Sequence, residues 1–163
     1  ELPSIIVQWL VTTLIKTPGH APADALAAAP ILNQLQTPGA ASHVTQQLME
    51  ARRKDPHAQL WPEAAVDIIG EDYQRVGDVK SAIEIFKLNL LAYPDSADAN
   101  SNLANAFLAD GQKEVARQYA EKVLALLDSH AAPASSWSDT EQRRGEIRHD
   151  AQEILKQTSS SPR

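Results

Sequence analysis

Apolar residues along this chain recur at helical spacing, and the recurrence itself repeats. In Glu63–Arg75, Ala65, Val66, Ile69 and Tyr73 share one face of a helix. Gly77-Asp78 then breaks the pattern, and Val79–Ala92 resumes it with Ala82, Ile83 and Phe86. The next stretch follows the same plan 34 residues on: Ile69 recurs as Leu103, Gly70 as Ala104, Tyr73 as Phe107, Gly77 as Gly111, Ala82 as Ala116 and Leu90 as Leu124. The spacing predicts helices over Glu63–Arg75, Val79–Ala92, Ala97–Ala109 and 112–127, paired by glycine turns at Gly77 and Gly111. A fixed period of this length signals helical hairpins that stack, because one hairpin alone cannot cover its apolar face.

The flanks extend the pattern in weaker form. Residues 2–16 predict a first helix with Ile5, Ile6, Trp9, Leu10 and Leu14 apolar around much of its circumference. Its apolar run, 5–15, is 11 residues long, short of the roughly 20 that cross a bilayer. Residues 21–35 are helical in composition but carry Pro30, which predicts two short helices, 24–29 and 31–35. Residues 43–54 predict a clear helix with Val44, Leu48 and Ala51 on one face. Shifting Gly77, Ala82, Phe86, Asn89 and Pro94 back by 38 positions meets Gly39, Val44, Leu48, Ala51 and Pro56. Residues 21–62 therefore read as a worn copy, with four extra residues near 59–62 before the next unit. After a linker rich in Ala, Ser and Pro, Ser138 and Glu141 have the spacing of a capping box. The last helix is expected over 139–157, with Ile147, Ala151, Ile154 and Leu155 as a narrow stripe. One apolar face and one polar face suit the open end of a stack.

The expected organisation is an N-terminal apolar helix (1–20), a degenerate repeat (21–62), two tandem repeats (63–130), and a linker with capping helix and tail (131–163). The fold class is all-α, with eight or nine helices in a short right-handed superhelix of antiparallel hairpins.

The residues of 63–130 resemble the tetratricopeptide repeat. Gly70, Tyr73, Gly77, Ala82, Phe86 and Pro94 carry the likeness in one copy, and Leu103, Ala104, Phe107, Gly111, Ala116 and Leu124 in the next. The second copy departs with Ala120 in place of Phe86 and Asp128 in place of Pro94, and the family's early tryptophan is replaced by Val66 and Asn100. The resemblance implies that a concave groove is lined by the first helix of each hairpin. Groove positions would be Ala64, Asp67, Ile68, Glu71, Gln74 and Arg75, then Asp98, Ser101, Asn102, Asn105 and Leu108. A second resemblance concerns residues 2–10, which look like the closing helix of a bacterial α/β-hydrolase of the esterase or dienelactone hydrolase type. It implies a chain that is the C-terminal part of a serine hydrolase whose catalytic domain lies before Glu1.

Composition narrows the function classes. Hydrophobic residues make up 43% and charged residues 22%, while aromatics are only 5%, so the core must be built from Ala, Leu, Ile and Val. The formal net charge of −6 argues against nucleic acid, which calls for a basic footprint. There is no cysteine, hence no disulfide and no thiolate chemistry; cytoplasmic and exported settings are both allowed. The chain starts at Glu1, not Met, which reads as a processed or partial product.

No Gly-x-Ser-x-Gly elbow, His-Glu-x-x-His or phosphate-binding glycine loop occurs. The histidines His20, His43, His57, His130 and His149 are not spaced to share a metal. No catalytic residue, metal or cofactor is assigned. Asp67 and Glu71 are four apart on one helix face, a spacing shared by acid pairs and by ordinary solvated faces. Arg52-Arg53-Lys54 suits the C-terminal end of a helix dipole.

The expected partner is a protein or peptide, or a neighbouring domain of the same polypeptide. The groove residues proposed for it are Asp67, Glu71, Gln74, Asn102 and Asn105. Asparagine amides both donate and accept, as an extended backbone requires. The acidic first copy favours a basic or neutral segment over an acidic tail. Ile5, Ile6, Trp9 and Leu10 form a hydrophobic surface for another domain or for a homo-oligomer.

Overall fold

In the computed structural model, residues 22–129 and 140–159 are described. They form seven helices and no strand: α1 (Pro22–Leu35), α2 (Ala41–Lys54), α3 (Glu63–Arg75), α4 (Val79–Ala92), α5 (Ala97–Ala109), α6 (Lys113–Asp128) and α7 (Glu141–Ser159). The protein is all-α, as its periodicity indicated. The apolar helix expected over 2–16, with Ile5, Ile6, Trp9 and Leu10, lies outside the described residues.

Each helix packs against its sequence neighbour or the helix two further on. The hairpins α3–α4 and α5–α6 are the most closely packed pairs, with α4 against α5 joining one to the next. The first helices also meet in series, α1 with α3, α3 with α5, and α5 with α7. This arrangement is compatible with a helical repeat. The turn glycines show the shared register: Gly39, Gly77 and Gly111 have φ of 84°, 84° and 78°. A left-handed backbone there lets Asp78 N–H return to the Tyr73 carbonyl and Gln112 N–H to the Phe107 carbonyl, both at 2.9 Å.

Small residues set the depth of each hairpin. A Cβ on Gly70 would stand 2.4 Å from Phe86 Cε1, so the missing side chain is what admits the ring. The equivalent pair in the next hairpin is Ala104 and Ala120, both fully buried. One copy combines no side chain with a ring, the other two methyl groups. Ala82 and Ala116 are also fully buried. Tyr73 packs against both halves of the core and donates its hydroxyl to the Leu35 carbonyl at 3.1 Å. Phe107 stacks on Tyr119, with ring centroids 5.6 Å apart.

Two features differ from expectation. Helix α1 runs unbroken through Pro30. Pro30 sits on the exposed side, where water can replace the hydrogen bond its missing N–H withholds, while Ala28, Leu32 and Leu35 hold the other side in the core. The last helix begins at Glu141, and its observed capping hydroxyl belongs to Thr140, which accepts from Arg143 N–H at 3.2 Å. Ser138, expected to cap it, lies outside the described residues.

The extra residues before α3 are anchored in the core. Trp61 is buried and donates its indole N–H to Asn89 Oδ1 at 3.1 Å. Tyr93 donates its hydroxyl to the Trp61 carbonyl. Arg52 caps the end of α4, donating to the carbonyls of Leu91 and Ala92 at 3.0 and 3.2 Å. At the other end of the stack, Ile147, Ala151 and Ile154 of α7 are buried. Arg144 donates to the Leu127 carbonyl at the end of α6, at 2.9 Å.

Candidate interaction groove

Helices α3, α5 and α7 lie side by side, and their polar residues converge along one seam. From α3 come Glu63, Asp67 and Glu71; from α5, Asp98, Ser101, Asn102 and Asn105; from α7, Arg143 and Glu146. Two depths are evident. Glu63, Asp67, Asp98 and Ser101 are buried, whereas Gln74, Asn102, Asn105 and Arg143 are half-buried and Glu71 and Glu146 are exposed.

Asp67, expected on the groove surface, is buried at 2% exposure. Its Oδ1 accepts from Asn89 Nδ2 at 2.7 Å, and the same amide group also donates to the Glu63 carbonyl at 3.1 Å. Asn89 thereby joins three inward-facing groups: the Trp61 indole, the Glu63 backbone and the Asp67 carboxylate. Burial pushes the Asp67 carboxyl well above the usual carboxylate range, helped by the charges of Asp98 and Glu63, while the amides of Asn89 and Asn102 pull it down.

Asp98 lies beside it, fully buried. Arg143 reaches back from α7 and donates Nη2 to Asp98 Oδ1 at 2.8 Å and Nη1 to Glu146 Oε2 at 3.2 Å. Burial raises the Asp98 carboxyl, and the Arg143 guanidinium only partly offsets this. Glu71 is also raised, first by lost hydration and then by Asp98, with Arg143 and Arg75 acting against the rise. The seam is thus acidic along α3 and α5 and carries one guanidinium from α7.

The remaining expected residues differ in surroundings. Asn102 faces Asp67. Asn105 spends one donor on its own helix, to the Ser101 carbonyl at 3.2 Å. Gln74 lies one turn further along α3 and is half-buried.

Sequence reasoning missed Asn89, Asn100 and Arg143. A signal for the first two was available in the repeat itself: Asn89 and Asn100 are polar where the matching copy carries Val123 and Val66. Asn100 uses its amide locally, donating to the Ser96 carbonyl at 2.7 Å. Arg143 lies outside the repeating part and had no such counterpart.

Among the described residues no group of three or more His, Cys, Asp or Glu side chains is placed to hold a metal ion. His43 lies beside Gln47, 3.0 Å from its amide nitrogen, and His43, His57 and His149 are exposed. Among the described residues no helix is long and apolar enough to cross a membrane. No family model matches the chain, and no curated protein matches it at a significant level.

Proposed function

We propose that this chain is a tetratricopeptide-type module that holds a protein segment along the seam of α3 and α5. The observation that carries the reading is that the half-buried amides Asn102 and Asn105 of α5 stand on the helix next to α3, where Asn102 meets Asp67 and Asp98 acts on Asp67 and Glu71. A half-buried amide has both donors and an acceptor, and Asn105 uses one donor within its own helix, so acceptor and donor capacity is left that an extended backbone can use. The flanking carboxylates favour a basic or neutral segment and repel an acidic one. The turn register at Gly39, Gly77 and Gly111 and the serial packing of first helices support the repeat assignment.

Panning a random dodecapeptide display library against the whole chain tests this. The expected outcome is enrichment of basic or neutral peptides whose binding, followed by fluorescence anisotropy, weakens in Asn102→Ala and Asn105→Ala. Enrichment of acidic peptides, or binding indifferent to both asparagine variants, refutes it.

A further inference from the structure

Asp98 has 0% exposure, yet only one of its carboxylate oxygens is used. Oδ1 accepts from Arg143 Nη2 at 2.8 Å, while Oδ2 has no hydrogen-bond partner. Arg143 Nε is likewise buried and unmatched. A guanidinium and a carboxylate pair best through two parallel N–H···O bonds, and this pair makes one. On the neighbouring helix α3, Asp67 also leaves Oδ2 without a hydrogen-bond partner, and Asp98 is the charge that bears on it most. Two buried carboxylate oxygens from neighbouring helices thus await donors.

The surroundings state which donor fits. Asp67, Glu71, Asp98 and Glu146 outnumber the cations that act on them, Arg143 and Arg75. The cation already seated on Asp98 is a guanidinium, so the donor that fits is an organic cation with directional N–H groups. The chain itself places such a group here. Arg143 is held on a long side chain that keeps 32% of its surface in water, and it comes from the terminal helix, not from either groove helix.

We infer that Asp98, with Asp67 on the neighbouring helix, is a recognition site for an arginine side chain of the bound segment, and that Arg143 occupies its outer edge in cis. The incoming guanidinium approaches edge-on, engages both Asp98 oxygens and displaces Arg143, which retains Glu146. This rests on the reading of the seam as a peptide groove.

The test uses the full chain labelled with 15N and two probes, N-acetyl-argininamide and its neutral isostere N-acetyl-citrullinamide. The arginine compound is expected to shift the side-chain amide signals of Asn89 and Asn102, and the citrulline compound to leave them in place. Asp98→Asn should weaken arginine binding by about tenfold, the worth of one charge-assisted hydrogen bond. Arg143→Gln should strengthen it by about tenfold, because the internal competitor is gone. A purely structural Arg143 predicts the opposite sign. Circular dichroism checks each fold; should Asp98→Asn not fold, the wild-type titration and Arg143→Gln decide. Equal responses to the two probes, or weaker binding by Arg143→Gln, overturn the inference. Panned peptides that bind the groove equally well with arginine or citrulline overturn it while leaving the groove reading intact. Arginine binding at Asp98 with no peptide enriched supports the site and refutes the groove reading.

Discussion

Gly70→Ala isolates the contact that sets the α3–α4 spacing. The added Cβ would meet Phe86 Cε1, Cζ and Cδ1 at 2.4, 2.7 and 2.8 Å, where ordinary contact begins at 3.4 Å. The ring has to retreat by roughly 1 Å, and at 0% exposure it has no open space to enter. Overpacking of this kind costs about 1–3 kcal/mol. Alanine recovers about 1 kcal/mol of helix propensity relative to glycine. The clash lies at the severe end, so steric cost exceeds propensity and the net loss should be about 2 kcal/mol. Urea unfolding followed by helical circular dichroism measures it. Phe86→Leu removes the ring atoms nearest the new methyl, so Gly70→Ala on that background should cost little, giving a coupling of about 2 kcal/mol in the double-mutant cycle. Gly70→Ala at wild-type stability or above would refute the reasoning, since the ring then moves freely and propensity alone governs.

Other expectations follow from the same packing. Ala82→Leu and Ala116→Leu, both at fully buried positions, should each lower stability by about 1–3 kcal/mol in urea titrations. Asn89→Ala strands the Trp61 indole and Asp67; a loss of about 3 kcal/mol is expected, and an unchanged unfolding midpoint would show that water replaces the amide. Asn102→Ala and Asn105→Ala should stay within about 0.5 kcal/mol of wild type; a larger thermal shift makes them structural and removes them from the groove. Asp67, Asp98 and Glu71 have folded-state pKa values raised chiefly by burial, so the folded state binds protons more tightly than the unfolded one. Their contribution grows as pH falls toward the unfolded carboxylate range near pH 4 and is lost as pH rises through the folded values. Asp78, Glu146 and Glu153 are lowered by hydrogen bonds to Ser81, Gln142 and Lys156 respectively, and their stabilisation disappears only on further acidification. Thermal unfolding should therefore occur at higher temperature at pH 5 than at pH 7.5, and Asp67→Asn should flatten that difference. A midpoint that climbs with pH in the wild type contradicts the burial argument.

Helix positions were legible because they depend on local rules. Apolar spacing and glycine turns act within a few residues, so α3, α4 and α5 begin and end where the pattern indicated. The rule failed at Pro30, where helix continuity depended on which side of the helix faced water. The candidate site was legible only in outline. Asp67 and Asn102 meet across α3 and α5, and Asp98 acts on both Asp67 and Glu71, but which of these side chains are buried was not readable.

The 34-residue period and the turn glycines already determine that the chain forms helical hairpins, since backbone angles and one-face hydrophobicity are properties of short segments. Only the tertiary structure decides that Asp67 and Asp98 are buried and that Arg143 stands over Asp98 from 45 residues away. Burial depends on how closely neighbouring hairpins approach. That distance is set by pairs such as Gly70 with Phe86, whose complementarity acts across space and has no expression in the order of residues along either helix.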